Sequence, residues 1–119
     1  MADSFERVRA AALPLPNVRL ATKYDGSPVL RRDGAFMAGL ATHPSAEPGT
    51  LVVRSTFEER ERLLEEAPAT YYVTDYYLPH PVVLARLSQL DNGALRDLLA
   101  MSWRRTADKV RRGRTPARK

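Results

Sequence analysis

From Leu20 to Val53 the apolar residues follow a period of two, and the run is cut by Asp25-Gly26, by Asp33-Gly34 and by the loop from Pro44 to Gly49. Such a period turns successive side chains to opposite faces, so the stretch reads as short β-strands and excludes an amphipathic helix. The expected strands are Ala21 to Tyr24, Pro28 to Arg32, Ala35 to Leu40 and Thr50 to Arg54. Asp33-Gly34 is the clearest of the breaks. Both residues tolerate positive φ, which suits a two-residue type I′ turn joining Pro28–Arg32 to Ala35–Leu40 in an antiparallel hairpin. Arg31 and Arg32 then sit at the tip of a wing, on opposite faces of the strand.

Helical signals flank this region. Asp3-Ser4-Phe5-Glu6 has the form of a capping box, with Phe5, Val8 and Ala12 on one face before Pro14 and Pro16 end the helix near Leu13. Thr56-Phe57-Glu58-Glu59 repeats the box and opens a helix running to about Glu66, closed by Pro68. Val82 to Leu87 reads as a further strand. Asp91 or Asn92 caps a third helix in which Leu95, Leu98, Leu99, Trp103 and Ala107 recur at helical spacing. The order predicts an α+β fold: an antiparallel sheet of short strands and hairpins with N-terminal, middle and C-terminal helices. Residues 1–110 form one domain, and residues 111–119 a basic, mobile tail.

Charge is unevenly distributed. The 119-residue chain carries a net charge of +5. Residues 104–119 hold eight bases against one acid, a net of +7, while the remainder holds eleven bases against thirteen acids, a net of −2. The affinity for polyanions that a basic pI suggests therefore belongs to the C-terminal arm and to local patches. There are no cysteines, which excludes disulfides, thiolate metal sites and a cysteine nucleophile. Apolar runs such as Ala10 to Leu15 fall far short of a membrane span, and the acidic start is unlike a signal peptide. The chain reads as a cytoplasmic monomer with no membrane association.

Four of the five tyrosines and one of the two histidines lie within Tyr71-Tyr72-Val73-Thr74-Asp75-Tyr76-Tyr77-Leu78-Pro79-His80-Pro81. Around this segment stand Leu13-Pro14-Leu15-Pro16-Asn17-Val18, Tyr24-Asp25-Gly26-Ser27-Pro28, Gly34-Ala35-Phe36-Met37-Ala38, Leu51-Val52-Val53-Arg54 and Ala100-Met101-Ser102-Trp103-Arg104-Arg105-Thr106-Ala107. In this order and spacing, from about Phe5 to Lys109, the chain resembles the MmcQ/YjbR family of small bacterial proteins. The resemblance implies a YjbR-like α+β fold, comparable to frataxin-like folds, and a double-wing DNA-binding arrangement. It brings no catalytic residues to carry over.

Two functional surfaces follow from the residues. Lys23, Arg31, Arg32, Arg54 and Arg86 lie in or beside expected strands and form a basic path, which Arg111, Arg112, Arg114, Arg118 and Lys119 extend from the tail. Guanidinium groups pair bidentately with phosphates, so this set points to weak, backbone-directed binding of double-stranded DNA. Equally, strand-end arginines serve to keep hairpins soluble. The second surface is Tyr71, Tyr72, Tyr76, Tyr77 and His80, either a stacking face for a ligand or protein partner or the packed rim of the sheet. No Gly-x-Ser-x-Gly, phosphate-cradling glycine loop or zincin helix occurs, and His43 and His80 are too few for a metal site. The expectation is a protein without catalytic residues, metal or cofactor.

Overall fold

The computed structural model describes residues 2–114, with side chains described for residues 5–109. In chain order the elements are α1 (Ala2–Ala12), β1 (Val18–Thr22), β2 (Pro28–Arg32), β3 (Ala35–Leu40), β4 (Thr50–Arg54), α2 (Phe57–Glu66), β5 (Tyr71–Tyr72), β6 (Val82–Arg86), a short 3-10 turn (Leu87–Gln89) and α3 (Asn92–Arg114). The six strands form one sheet in the order β1-β2-β3-β4-β6-β5. All neighbours are antiparallel. The fold is α+β.

The turn chemistry behaves as the sequence dictates. Asp33 and Gly34 have φ of 50° and 85°, the left-handed pair that a two-residue hairpin matched to strand twist needs. A bulge shifts the β2–β3 register between Leu30 and Arg31, so Leu30 faces Ala38 while Arg31 faces Phe36. At α2, Thr56 Oγ1 accepts the Glu59 N–H at 3.0 Å and Glu59 Oε1 accepts the Thr56 N–H at 3.1 Å, a complete capping box. Of the first such box only Phe5 and Glu6 have described side chains, and α1 begins at Ala2, ahead of Asp3.

β1, β6 and α3 have bounds that differ from expectation. β1 starts at Val18 and ends at Thr22, earlier than Ala21 to Tyr24, because Asn17 at φ 65° turns the chain directly into pairing with β2. Tyr24 instead stands 103% exposed in the following turn. β6 stops at Arg86, since Leu87 opens the 3-10 turn. α3 continues to Arg114, so residues 111–114 are helical. Residues 115–119 lie outside the described residues.

Both faces of the sheet are covered. Against α1 and α3 it buries Val18, Leu30, Met37, Leu51, Val53, Val83 and Ala85, which meet Val8, Leu95, Leu98 and Leu99. Ser102 Oγ, in α3, donates to Met37 O at 2.9 Å, so a polar group enters this core with its bond made. The opposite face buries Val52, Val82 and Leu84 beneath Phe36, Ala46, Tyr72 and Tyr77. Strand residues Phe36 and Tyr72 and loop residues Ala46 and Tyr77 form that second cover without a helix, and Arg60 fixes the loop that carries Tyr77. This α2 residue is only 4% exposed and donates to the carbonyls of Leu78, His80 and Val82 at 3.1, 2.9 and 3.1 Å.

Removing the guanidinium would take a donor from three carbonyls, of which His80 O keeps the Val82 N–H at 2.8 Å and Val82 O is in the buried part of the site. Arg60→Met is expected to lower unfolding stability by about 3 kcal/mol, with Arg60→Lys recovering only part, because one ammonium cannot span the three acceptors. Urea unfolding of both variants checks this. A loss below about 0.5 kcal/mol would place the loop's anchor elsewhere.

Candidate nucleic-acid interface

The antiparallel order divides the cations between two ends of the sheet. At the hairpin end lie the end of β2, the start of β3, the end of β4 and the start of β1. At the opposite end lie the end of β1, the start of β4 and the end of β6. Lys23 and Arg86 fall at that opposite end, on opposite margins of the sheet. Arg31, Arg32 and Arg54 fall at the hairpin end. The expected path across the sheet is thus two separate groups.

Several of these cations are engaged within the fold. Arg86 grips Glu47 through two bonds of 2.9 Å, donates to Ala69 O at 3.0 Å and lies 4.3 Å from the centre of the Tyr72 ring. The guanidinium holds the Glu47 carboxyl below its ordinary value of 4.5, and the carboxylate in turn raises Arg86. Arg32 is laid over Trp103 at 3.7 Å, donates to Trp103 O at 2.8 Å and has a side chain only 14% exposed. Arg54 Nε donates to Phe36 O at 2.7 Å. These three are brackets between elements before they are anything else. Lys23 is half-buried at the Asp25-Gly26 turn, which Asp25 stabilises by accepting from the Ser27 backbone and hydroxyl at 2.9 and 2.7 Å.

Arg31 has a different setting. Its only described side-chain bond is a 3.3 Å donation to Gly34 O, within its own hairpin. Directly across the β1–β2 ladder stands Arg19. Directly opposed residues share one face of a sheet, so the two arginines stand beside the same cleft of about 450 Å³, lined also by Asn17, Leu20, Asp33 and Gly34. Among the described residues no carboxylate lies within salt-bridge distance of either. Arg19 was not among the expected residues, because its pairing appears only once β1 is seen to begin at Val18.

α3 brings its basic half to the same end. Trp103 Nε1 donates to Pro16 O at 2.9 Å, and Arg32 bridges the hairpin to Trp103. Arg105 meets Glu59 of α2 at 3.4 Å and Asp108 at 2.7 Å. The exposed Lys109, and the backbone of Arg111, Arg112 and Arg114, therefore continue past the hairpin end, while the exposed Arg104 lines a groove between α2 and α3 with Arg62 and Asp97. Arg118 and Lys119 lie outside the described residues.

The tyrosine segment mainly packs. Tyr71 is buried on the helix side, where burial raises its phenol above the ordinary value. Tyr72 OH accepts the Glu47 N–H at 2.8 Å and shares a 2.6 Å bond with Thr50. Tyr77 is half-buried over Val52 and Leu84, and its phenol is also raised, chiefly by burial. Tyr76, 54% exposed, stacks on His43 at 3.6 Å. His80 is exposed, and its carbonyl is one of Arg60's acceptors. Among the described residues no three metal-capable side chains come together, and no helix is long and apolar enough to cross a membrane. No family model, curated protein or solved structure matches the chain.

The Arg86–Glu47 clasp has a pH signature. A depressed carboxylate contributes stability that is present above its unfolded value and lost as pH falls through the lower folded value. Glu47→Gln is expected to be less stable than wild type at pH 7, with the difference vanishing in the acid range below 4.5. Urea midpoints from pH 7 to pH 3 measure it. A difference independent of pH would separate Glu47 from the clasp.

Proposed function

We propose that the protein is a non-enzymatic domain that binds double-stranded DNA weakly, chiefly through the phosphate backbone. The observation that carries this reading is the Arg19–Arg31 pair. Like charges placed directly opposite on a sheet repel and lower stability by a few tenths of a kcal/mol or more. The carboxylate at the cleft, Asp33, reaches Arg32 at 3.9 Å and, among the described residues, pairs with neither Arg19 nor Arg31, so an anion that bridges the two from outside best accounts for the pair. The hairpin supplies the wing, and the basic second half of α3 supplies a second arm at the same end. The resemblance to MmcQ/YjbR proteins points the same way. A ligand face built on the tyrosines is less favoured, because Tyr71, Tyr72 and Tyr77 are engaged in packing.

Phosphate contacts orient a protein on a duplex without selecting sequence, so affinity should depend steeply on salt and little on the site. In titrations of a labelled duplex at several salt concentrations, Arg19→Ala/Arg31→Ala should lower the magnitude of the log K against log salt slope by about 2, as two lost contacts require. Arg86→Ala should leave the slope unchanged. Equal slopes for the Arg19→Ala/Arg31→Ala variant and wild type would remove the wing from the interface.

A further inference from the structure

At the hairpin end the start of α2 faces the second half of α3 across a cleft of about 300 Å³, lined by Ser55, Phe57, Glu58, Arg105, Asp108 and Lys109. We propose that this cleft binds a single phosphoryl group. The capping box satisfies the N–H groups of Thr56 and Glu59, and the Arg60 N–H bonds to Thr56 O at 3.0 Å. The N–H groups of Phe57 and Glu58 remain without an acceptor among the described residues. They stand at the positive end of the helix dipole, where backbone donors and partial charge favour an oxyanion together.

Ser55 is the independent sign of a ligand. It is 3% exposed, and its Oγ is buried with no hydrogen-bond partner. Leu51 and Val53 of β4 point into the helix-side core, so Ser55, next in the alternation, turns the same way, toward α3 at the floor of the cleft. A native buried hydroxyl without a partner calls for an acceptor to complete it. A phosphoryl oxygen seated between the Phe57 and Glu58 amides supplies that acceptor. Lys109, exposed on the rim, provides a cation. Arg105 is already matched by Glu59 and Asp108 and acts as the wall that fixes the cleft's width. Arg54, Arg105 and Lys109 are balanced around the opening by Glu58, Asp108 and, through Arg105, Glu59, and so even a balance suits one phosphoryl group better than a polyphosphate chain. The phosphoryl group belongs to either a phosphate monoester or a nucleic-acid strand.

The site shares Lys109 with the basic arm of the DNA reading but uses neither Arg19 nor Arg31, so the two readings can fail separately. Amide resonances followed while inorganic phosphate is added to the full chain, with chloride at equal ionic strength as the control, test it directly. Phe57 and Glu58 should shift saturably with phosphate and not with chloride. Ser55→Ala should weaken the apparent affinity about tenfold, as loss of a hydrogen bond to a charged group does. Lys109→Gln, which leaves the buried floor untouched, should weaken it about two- to fivefold, and Arg19→Ala/Arg31→Ala should leave it unchanged. Parallel titrations with phenyl phosphate and with duplexes bearing or lacking a 5′-phosphate separate the sources. Saturation by phenyl phosphate assigns a monoester, and saturation by the unphosphorylated duplex assigns the strand backbone. Phe57 and Glu58 amides that do not move, that move equally with chloride, or that titrate identically in Ser55→Ala and Lys109→Gln would overturn the proposal.

Discussion

A buried guanidinium holds the second layer of this protein in place. Arg60 lies in a helix whose sequence, Phe57-Glu58-Glu59-Arg60-Glu61-Arg62, has the composition of a solvated face, yet it reaches inward to three carbonyls of the segment that follows β5. A loop laid across a sheet needs acceptors for its own polar groups, and few residues offer several donors in one rigid fork. With Leu78 to Val82 fixed, Tyr72 and Tyr77 lie over Val52 and Leu84, and the sheet's second face is closed without a helix.

The same economy recurs with other arginines. Arg7 ties α1 to Leu87 O and Leu90 O, Arg32 ties the hairpin to α3, and Arg86 ties β6 to the loop carrying Glu47. Cations that look alike in composition therefore have different destinations. Those bound to carbonyls, a ring or a carboxylate act as structural clasps. Arg19, Arg31 and Lys109 lie toward the hairpin end, where the slightly acidic body meets the basic arm, and this separation makes a phosphate-facing end physically reasonable.

What the sequence revealed followed the range of each signal. β2, β3 and β4 lie where the Asp-Gly break and the Pro44 to Gly49 loop put them, and α2 starts at its capping box, because turns and caps are decided by neighbouring residues. β1 was misplaced because its start depends on pairing with β2, and Asn17 carries no motif for that. Pairing of Tyr71 and Tyr72 with Ala85 and Leu84, and the approach of Glu47 to Arg86, are long-range events that no local pattern announces. Of the candidate cations, Arg31 kept an open setting, while the partners of Arg32, Arg54 and Arg86 became visible only in three dimensions. Arg19 and Ser55 gave no signal in the chain. The first needed the register and the second its burial.

Mapping amide shifts of the full chain on addition of a short duplex at low salt tests the central claim most directly, that the phosphate-facing surface is the hairpin end. The account predicts perturbations grouped at Arg19, Arg31 to Gly34 and Arg105 to Lys109, with Tyr72, Tyr76 and Arg86 unmoved. Shifts centred on the tyrosine face, or spread evenly over both ends of the sheet, would contradict it.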